Sequence, residues 1–335
     1  MRSHVGFDAL WSMRIPVPYS LLLRSGDLGW SCGQCPLDRD GGVIAPGDVL
    51  AQAGIVADLA QTVLARGGFH IRDLVMAVVY TTAPDPAPVL IRLRAALGEK
   101  PLLVPVVVPA FYYAGMEIEL DLFAASGGPQ SPMRDDGPGW VAQSVTAGGL
   151  RFVTADLQRG PDADALHKTL NLHAALIEHW CLPDPTGVPP HAVIGPAGCL
   201  WAVLADAATT QTLAVGDAAI TLRQSPGWLS LTGIAPEIPG LVPQTEAIMQ
   251  AIATVLHDHD ASFADVVKST THYMGDPTPD DLHANMAVRN RRYTSPGPAS
   301  TGIRVQALAA PGALTAISLL IERPRPLLRS FPRSV

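Results

Sequence analysis

Two short stretches and one isolated carboxylate have residue types and spacings that could do chemistry. Glu117 stands in an apolar run with Tyr113, Met116 and Ile118. Loss of water there would raise a carboxyl pKa and suit the group to exchange a proton with water; its alternative is an edge carboxylate facing solvent. Cys32 and Cys35 have the C-x-x-C spacing of a dithiol pair. Such pairs open a helix whose N-terminus lowers the thiol pKa, whereas here Pro36 follows and a loop continues. The second C-x-x-C that a zinc site would want is absent, so neither a metal nor another cofactor is expected. His257-Asp258-His259-Asp260 resembles a metal-ligand set, but it closes a helix-patterned segment, where histidine complements the helix dipole and Asp supports a turn. No G-x-G-x-x-G, Walker or H-E-x-x-H motif occurs, which removes the nucleotide and zinc-protease readings.

The elements that position these groups have to be built from a chain of 335 residues, long enough for two or three modules with cores of their own. Its composition, 48% hydrophobic and 16% charged, is that of a compact folded chain. A net charge of -7 with scattered arginines provides no basic field, so nucleic acid is not an expected partner. The N-terminal text has no apolar run ahead of a cleavage site. The longest apolar stretch starts at Pro101 and meets Glu117 too soon to cross a bilayer. A cytoplasmic protein without a membrane span is therefore expected. Its four cysteines, too few for a disulfide scaffold, are expected as free thiols.

Internal repetition sets the architecture. Residues 17–38, 140–158 and 218–236 each read as strand, tight turn, strand, with Gly26-Asp27, Gly148-Gly149 and Pro226-Gly227 at the turns. Helical patterns follow at 48–66, 163–180 and 242–258; in the last, Ile248, Ile252, Val255 and Leu256 form one stripe. Buried-type strands come next at 73–81 and 265–273, then a second helix and two more strands, whereas the middle repeat passes almost directly to final strands at 191–205. The reading is module 1 (1–125), a Gly/Pro-rich linker (126–139), a truncated module 2 (140–212), module 3 (213–325) and a tail (326–335), with a second connector at 206–217.

This order of hairpin, helix, strand, helix and two strands resembles the RidA (YjgF/YER057c/UK114) family. Pro18-Tyr19-Ser20, Cys32-Gly33-Gln34 and Glu117-Ile118-Glu119 in the first repeat are similar to its PYS, SGQ and EIE segments. Gln244-Thr245, DVVKSTTHY (265–273) and PGPASTGIRV (296–305) carry the likeness in the third. The resemblance implies α/β (α+β) modules, each a mixed sheet with helices on one face. It also implies a trimer-like arrangement, here within one chain as a monomer or loose homo-oligomer, and ligand sites between modules that hydrolyse imines or enamines derived from amino acids. Ser300-Thr301-Gly302 is also similar to the C-terminal module of the RidA-related chorismatases.

The family's carboxylate-binding arginine falls at Ser300 in the third repeat and near Leu103 in the first, and its strand glutamate at Ser318 and Glu117. Arg304, four residues beyond Ser300 and on the same strand face, becomes the candidate carboxylate anchor, against the plain reading of a solvated arginine. Arg289, Arg291 and Arg292 fall on a predicted helix, with a surface role expected for at least two of them. By the resemblance, Tyr19 offers its hydroxyl across a module boundary, Cys32 takes a ligand-facing serine position and is a candidate nucleophile, and Asn285 is the helix asparagine. Ser300, Thr301 and Thr232 complete the candidate substrate-binding set. The expected substrate is a small carboxylated metabolite, with or without nitrogen, that is hydrolysed or undergoes elimination in a cleft between repeats one and three. The alternatives are a chorismatase-like hydrolase or lyase and a non-catalytic binder. Because no repeat shows both clamp and carboxylate, ordinary imine deamination is expected to be weak.

Overall fold

The computed structural model describes residues 2–7, 10–157, 163–184, 187–276 and 278–323; the expected tail, 326–335, lies outside the described residues. Strands β1 (Arg2–Val5), β2 (Leu22–Ser25) and β3 (Leu28–Ser31), helix α1 (Val49–Arg66), β4 (Leu74–Thr81), α2 (Ala87–Leu97), β5 (Leu102–Val107) and β6 (Ile118–Ala125) form module 1. Its sheet runs β1-β2-β3-β6-β4-β5. Module 2 has β7 (Met133–Gly137), β8 (Trp140–Ala147), β9 (Leu150–Leu157), α3 (Ala163–Leu170), β10 (Ala175–Leu182), β11 (Val193–Ile194) and β12 (Gly198–Leu204). Module 3 has β13 (Thr209–Val215), β14 (Ala218–Ser225), β15 (Trp228–Ile234), α4 (Leu241–Asp258), β16 (Val266–Tyr273), α5 (Pro279–Asn290), β17 (Ala299–Arg304), β18 (Ala307–Leu308) and β19 (Thr315–Glu322). The other sheets run β18-β11-β10-β12-β9-β8-β7 and β13-β14-β15-β19-β16-β17, so module 3 lends β18 to the sheet of module 2.

The central strands β4, β10 and β16 show the repeat most plainly. Each is eight residues long, wholly buried and preceded by a 3-10 turn (Ile71–Asp73, Leu172–Ala174, Phe263–Asp265). Each also bulges between its first and third residues against the last long strand of its module. Helices α1 and α2, and α4 and α5, pair on one face of their sheets.

Three sequence expectations change here. Residues 163–180 are not one helix: α3 stops at Leu170, Asn171 takes a left-handed conformation (φ 55°), and 175–182 becomes β10. All eight residues of ALIEHWCL are buried, and such a short apolar run has no period that separates buried helix from buried strand. Module 2 therefore keeps the central strand and, among the described residues, lacks the second helix. The stretches read as connectors, 126–139 and 206–217, each supply an edge strand, β7 and β13. The third change is that Ser318, paired with Thr270 as Asp121 is with Val78, matches Asp121 rather than Glu117.

The modules close head to tail. Module 1's β5 packs on β8, β9 and β12 of module 2, β10 packs on β14 and β15 of module 3, and β17 packs back on β3. The seventh residues of the central strands, Tyr80, Cys181 and His272, meet around one small cavity where the modules converge. This closed heterologous ring is a single-chain pseudo-trimer. At the boundary of modules 3 and 1, buried Lys268 Nζ donates to Asp121 Oδ1 at 2.6 Å, Thr301 Oγ1 at 2.7 Å and the Ser31 carbonyl at 2.7 Å. At the other end of module 3, Arg223 Nη2 donates to Glu178 Oε2 at 2.7 Å. Removing one partner strands the other charge without water: Lys268→Met should destabilise by about 3–5 kcal/mol, and Lys268→Met/Asp121→Leu should recover most of it. Urea-unfolding midpoints of both variants measure this; equal losses would mean that the pair does not join the modules.

Candidate functional site

At the boundary where β17 meets β3 lies a narrow cleft of about 420 Å³ counted out to its mouth. Tyr19, Cys32, Gly33, Cys35, Tyr112 and Glu119 of module 1 face Ser300 and Gly302 of β17 and Leu282, Met286 and Arg289 of α5. Strand parity explains the β17 side: Thr301 points back to Lys268, and its neighbours Ser300 and Gly302 point into the cleft.

Arg289 is 1% exposed, and its guanidinium makes one long hydrogen bond, Nη1 to Ser300 Oγ at 3.5 Å, while Nε has no partner among the described residues. The Tyr19, Tyr273 and Tyr293 hydroxyls, Ser269 Oγ and Asn285 Nδ2 are buried and unpartnered as well. Burial raises the Tyr19, Tyr273 and Tyr293 phenols while the nearby Arg289 guanidinium pulls all three down, and Tyr19 and Tyr293 touch edge to face at 5.7 Å. Burial raises the Tyr19 phenol, which keeps it a donor. Buried polar groups are ordinarily satisfied. A cluster rich in donors around one guanidinium is complementary to an anion.

The carboxyl on the other wall is Glu119, 2% exposed and with Oε2 unpartnered. Burial, then the neighbouring Asp121, pushes its pKa up to about 8 against the pull of Lys268. Gly33 makes this placement possible, since a Cβ there would sit 1.6 Å from Glu119 Oε1.

Of the residues expected from sequence, Tyr19, Cys32 and Ser300 line the cleft. Glu117 does not: it precedes β6 half-buried, and its carboxylate bonds the Thr82 hydroxyl. Arg304 shares the Ser300 face but lies outside the lining, its Nε donating to the Gly275 carbonyl at 2.5 Å. Asn285 Oδ1 accepts from Thr245 of α4, Thr301 serves Lys268, and Thr232 pairs with Ser318 inside module 3. Burial pushes both the Cys32 and Cys35 thiols up, against the thiolate that a nucleophile or redox pair needs, and both cysteines are free. His257-Asp258-His259-Asp260 closes α4, with Asp260 left-handed at φ 52°. Among the described residues no three His, Cys, Asp or Glu side chains are grouped to hold a metal, and no helix is long and apolar enough to cross a membrane.

Sequence reasoning missed Arg289 and Glu119. The signal for Arg289 was present: Leu282, Met286 and Arg289 stand at i, i+4 and i+7, so the arginine shares the buried stripe of α5. Arg291 and Arg292, facing Glu246 and Gln250 on the surface, match the expectation for at least two of the three.

No protein-family model matches the chain. A RutC family protein of Pyrococcus horikoshii is 30% identical over 63 residues, 19% of this chain and 50% of the relative, so the chain spans about half the length of that curated relative. Among solved structures, a Thermotoga maritima protein named for a proposed endoribonuclease activity is 27% identical, with 38% of this chain and 100% of that one covered at a TM-score of 0.34. A YjgF/YER057c/UK114 family member from Mycobacterium tuberculosis (23%; 37% and 99% covered; TM-score 0.32) is also similar. So is the YjgF gene product of E. coli (22%; 37% and 98%; 0.32). The chain is a tandem array of RidA-like modules, with the expected element order complete in modules 1 and 3.

Glu119 also predicts a pH dependence. Between the ordinary value of 4.5 and about 8 the folded state holds a proton that the unfolded chain has released. Stability contributed at low pH is thus lost as pH rises through that window, by at most about 1.4 kcal/mol per pH unit. Urea unfolding from pH 5 to 8 should show wild type losing stability relative to Glu119→Gln; parallel curves would mean that Glu119 titrates normally.

Proposed function

We propose that the cleft between modules 1 and 3 binds a small carboxylate through Arg289 and hydrolyses an imine or enamine carried on it, with Glu119 as proton carrier. The observation that carries this reading is the buried, almost unpartnered guanidinium of Arg289 sharing one cavity with the protonatable carboxyl of Glu119. A helix arginine thus supplies the cation that β17 lacks at Ser300. It also removes the motive for expecting weak deamination, since clamp and carboxyl now share a pocket.

The chemistry needs one water and one proton carrier. Water adds to the C=N carbon as the Glu119 carboxylate takes one of its protons and passes it to nitrogen, giving the carbinolamine; the carboxylate then takes the carbinolamine hydroxyl proton and delivers it to the amino group, so that ammonia leaves as the carbonyl forms. A pKa near 8 suits both halves of this exchange at neutral pH. Tyr19, buried and unpartnered, is placed to donate to the substrate.

The test is to generate 2-iminopropionate in situ with an amino-acid oxidase and follow its loss with and without the protein. Acceleration is expected, abolished in Glu119→Gln and reduced about 10- to 150-fold in Arg289→Lys, which keeps the charge but loses a charge-assisted bond of about 1.5–3 kcal/mol. No acceleration by folded wild-type protein that still binds pyruvate through Arg289 would favour the non-catalytic binder.

A further inference from the structure

The remaining walls of the cleft are apolar. Trp11, Met13 and Val17 reach the cavity from the segment between β1 and β2, and Leu282 and Met286 reach it from α5. The N-terminal segment is strapped down over the cavity. Trp11, 2% exposed, donates Nε1 to Gln34 Oε1 at 3.4 Å and takes Phe7 edge-on at 4.9 Å. The Arg14 backbone N–H donates to the Tyr113 hydroxyl at 3.1 Å, Arg14 Nε donates to the Gly41 carbonyl at 3.1 Å, and its guanidinium lies 4.4 Å over the Tyr113 ring. Arg289 is the only basic side chain among the lining residues, the lining carboxyl is Glu119, and the nearby Lys268 is committed to Asp121. A second negative charge on the ligand would find no cationic partner among the lining residues and would hinder Glu119 from giving up its proton.

We infer, on the reading of Arg289 as carboxylate anchor, that the natural ligand is a monocarboxylate with a bulky apolar, aromatic group, its ring held between Trp11 and Met286. Dicarboxylates, chorismate included, fit this charge balance poorly. Calorimetry on the full chain with phenylpyruvate, pyruvate and 2-oxoglutarate as stable carbonyl probes tests it. Phenylpyruvate should bind at least about tenfold more tightly than pyruvate, because an aromatic ring leaves water, and 2-oxoglutarate should bind no more tightly than pyruvate. Trp11→Ala should erase the preference for phenylpyruvate while leaving pyruvate affinity within about twofold, since it removes apolar surface and a bond to Gln34 but none to Arg289. Met286→Gln provides the same readout if the strap fails to fold without Trp11. Equal affinities for phenylpyruvate and pyruvate, lost together in Arg289→Gln, would overturn the aromatic class and leave the carboxylate reading standing. Tightest binding of 2-oxoglutarate would overturn the monocarboxylate class. Failure of all three probes to bind folded protein would overturn both readings.

Discussion

The ion pair of Lys268 with Asp121, 2.6 Å apart and cut off from water, is the constraint on which the functional boundary depends. A charge so placed is tolerable only if its partner arrives from the neighbouring module, so module 3 has to dock on module 1 in one register. Lys268 Nζ also takes Thr301 and the Ser31 carbonyl, tying β16, β17 and β3 together. Because side chains alternate along a strand, fixing Thr301 inward fixes Ser300 and Gly302 outward, where they form one wall of the cleft. The same pair bears on Glu119: Asp121 raises its pKa and Lys268 restrains the rise.

A single chain lets the boundaries of a pseudo-trimer diverge, which identical subunits cannot do. Between modules 2 and 3 the second helix is missing, β18 crosses over to pair with β11, and Glu178 gathers Arg223, His167 and Trp180 around its carboxylate. Those partners outweigh desolvation and hold Glu178 down at about 2, a locked structural charge and the opposite of Glu119. Between modules 1 and 2 a wider cleft of about 1170 Å³ counted to its mouth presents Leu103, Pro105 and Val107 where β17 has Ser300, Gly302 and Arg304.

What the sequence made legible follows from what is local. Hairpin turns, the stripe on α4 and the β-branched central strands announce themselves within a dozen residues, and their order was enough to expect tandem modules. The site was only half legible. Glu117 and Glu119 have the same strand parity, so no periodicity can choose between them; the choice is made by Gly33, just beyond β3, which leaves room for the Glu119 carboxyl, while Glu117 turns to the Thr82 hydroxyl. Arg304 satisfied the parity argument and was still lost to a carbonyl, that of Gly275, in the loop between β16 and α5. Arg289 was obscured by habit, because an arginine on a helix is usually solvated, although its spacing from Leu282 and Met286 placed it inside.

The match between positions also shows why the chain has one site of this kind among its described residues. The seventh residues of the central strands pair with Glu119 in module 1, Cys199 in module 2 and Ala316 in module 3. Only the first is a carboxyl. The cation that faces it comes from α5, and module 2 has no counterpart of that helix, while α2 of module 1 offers Leu97 at the corresponding end of its buried stripe. An acid on module 1 and a guanidinium on module 3 can therefore meet at one boundary alone, the boundary that Lys268 and Asp121 hold in register. The other two clefts lack this pairing: at one, Glu178 is taken up by Arg223 and His167, and at the other the module 1 side is lined by Leu103, Pro105 and Val107.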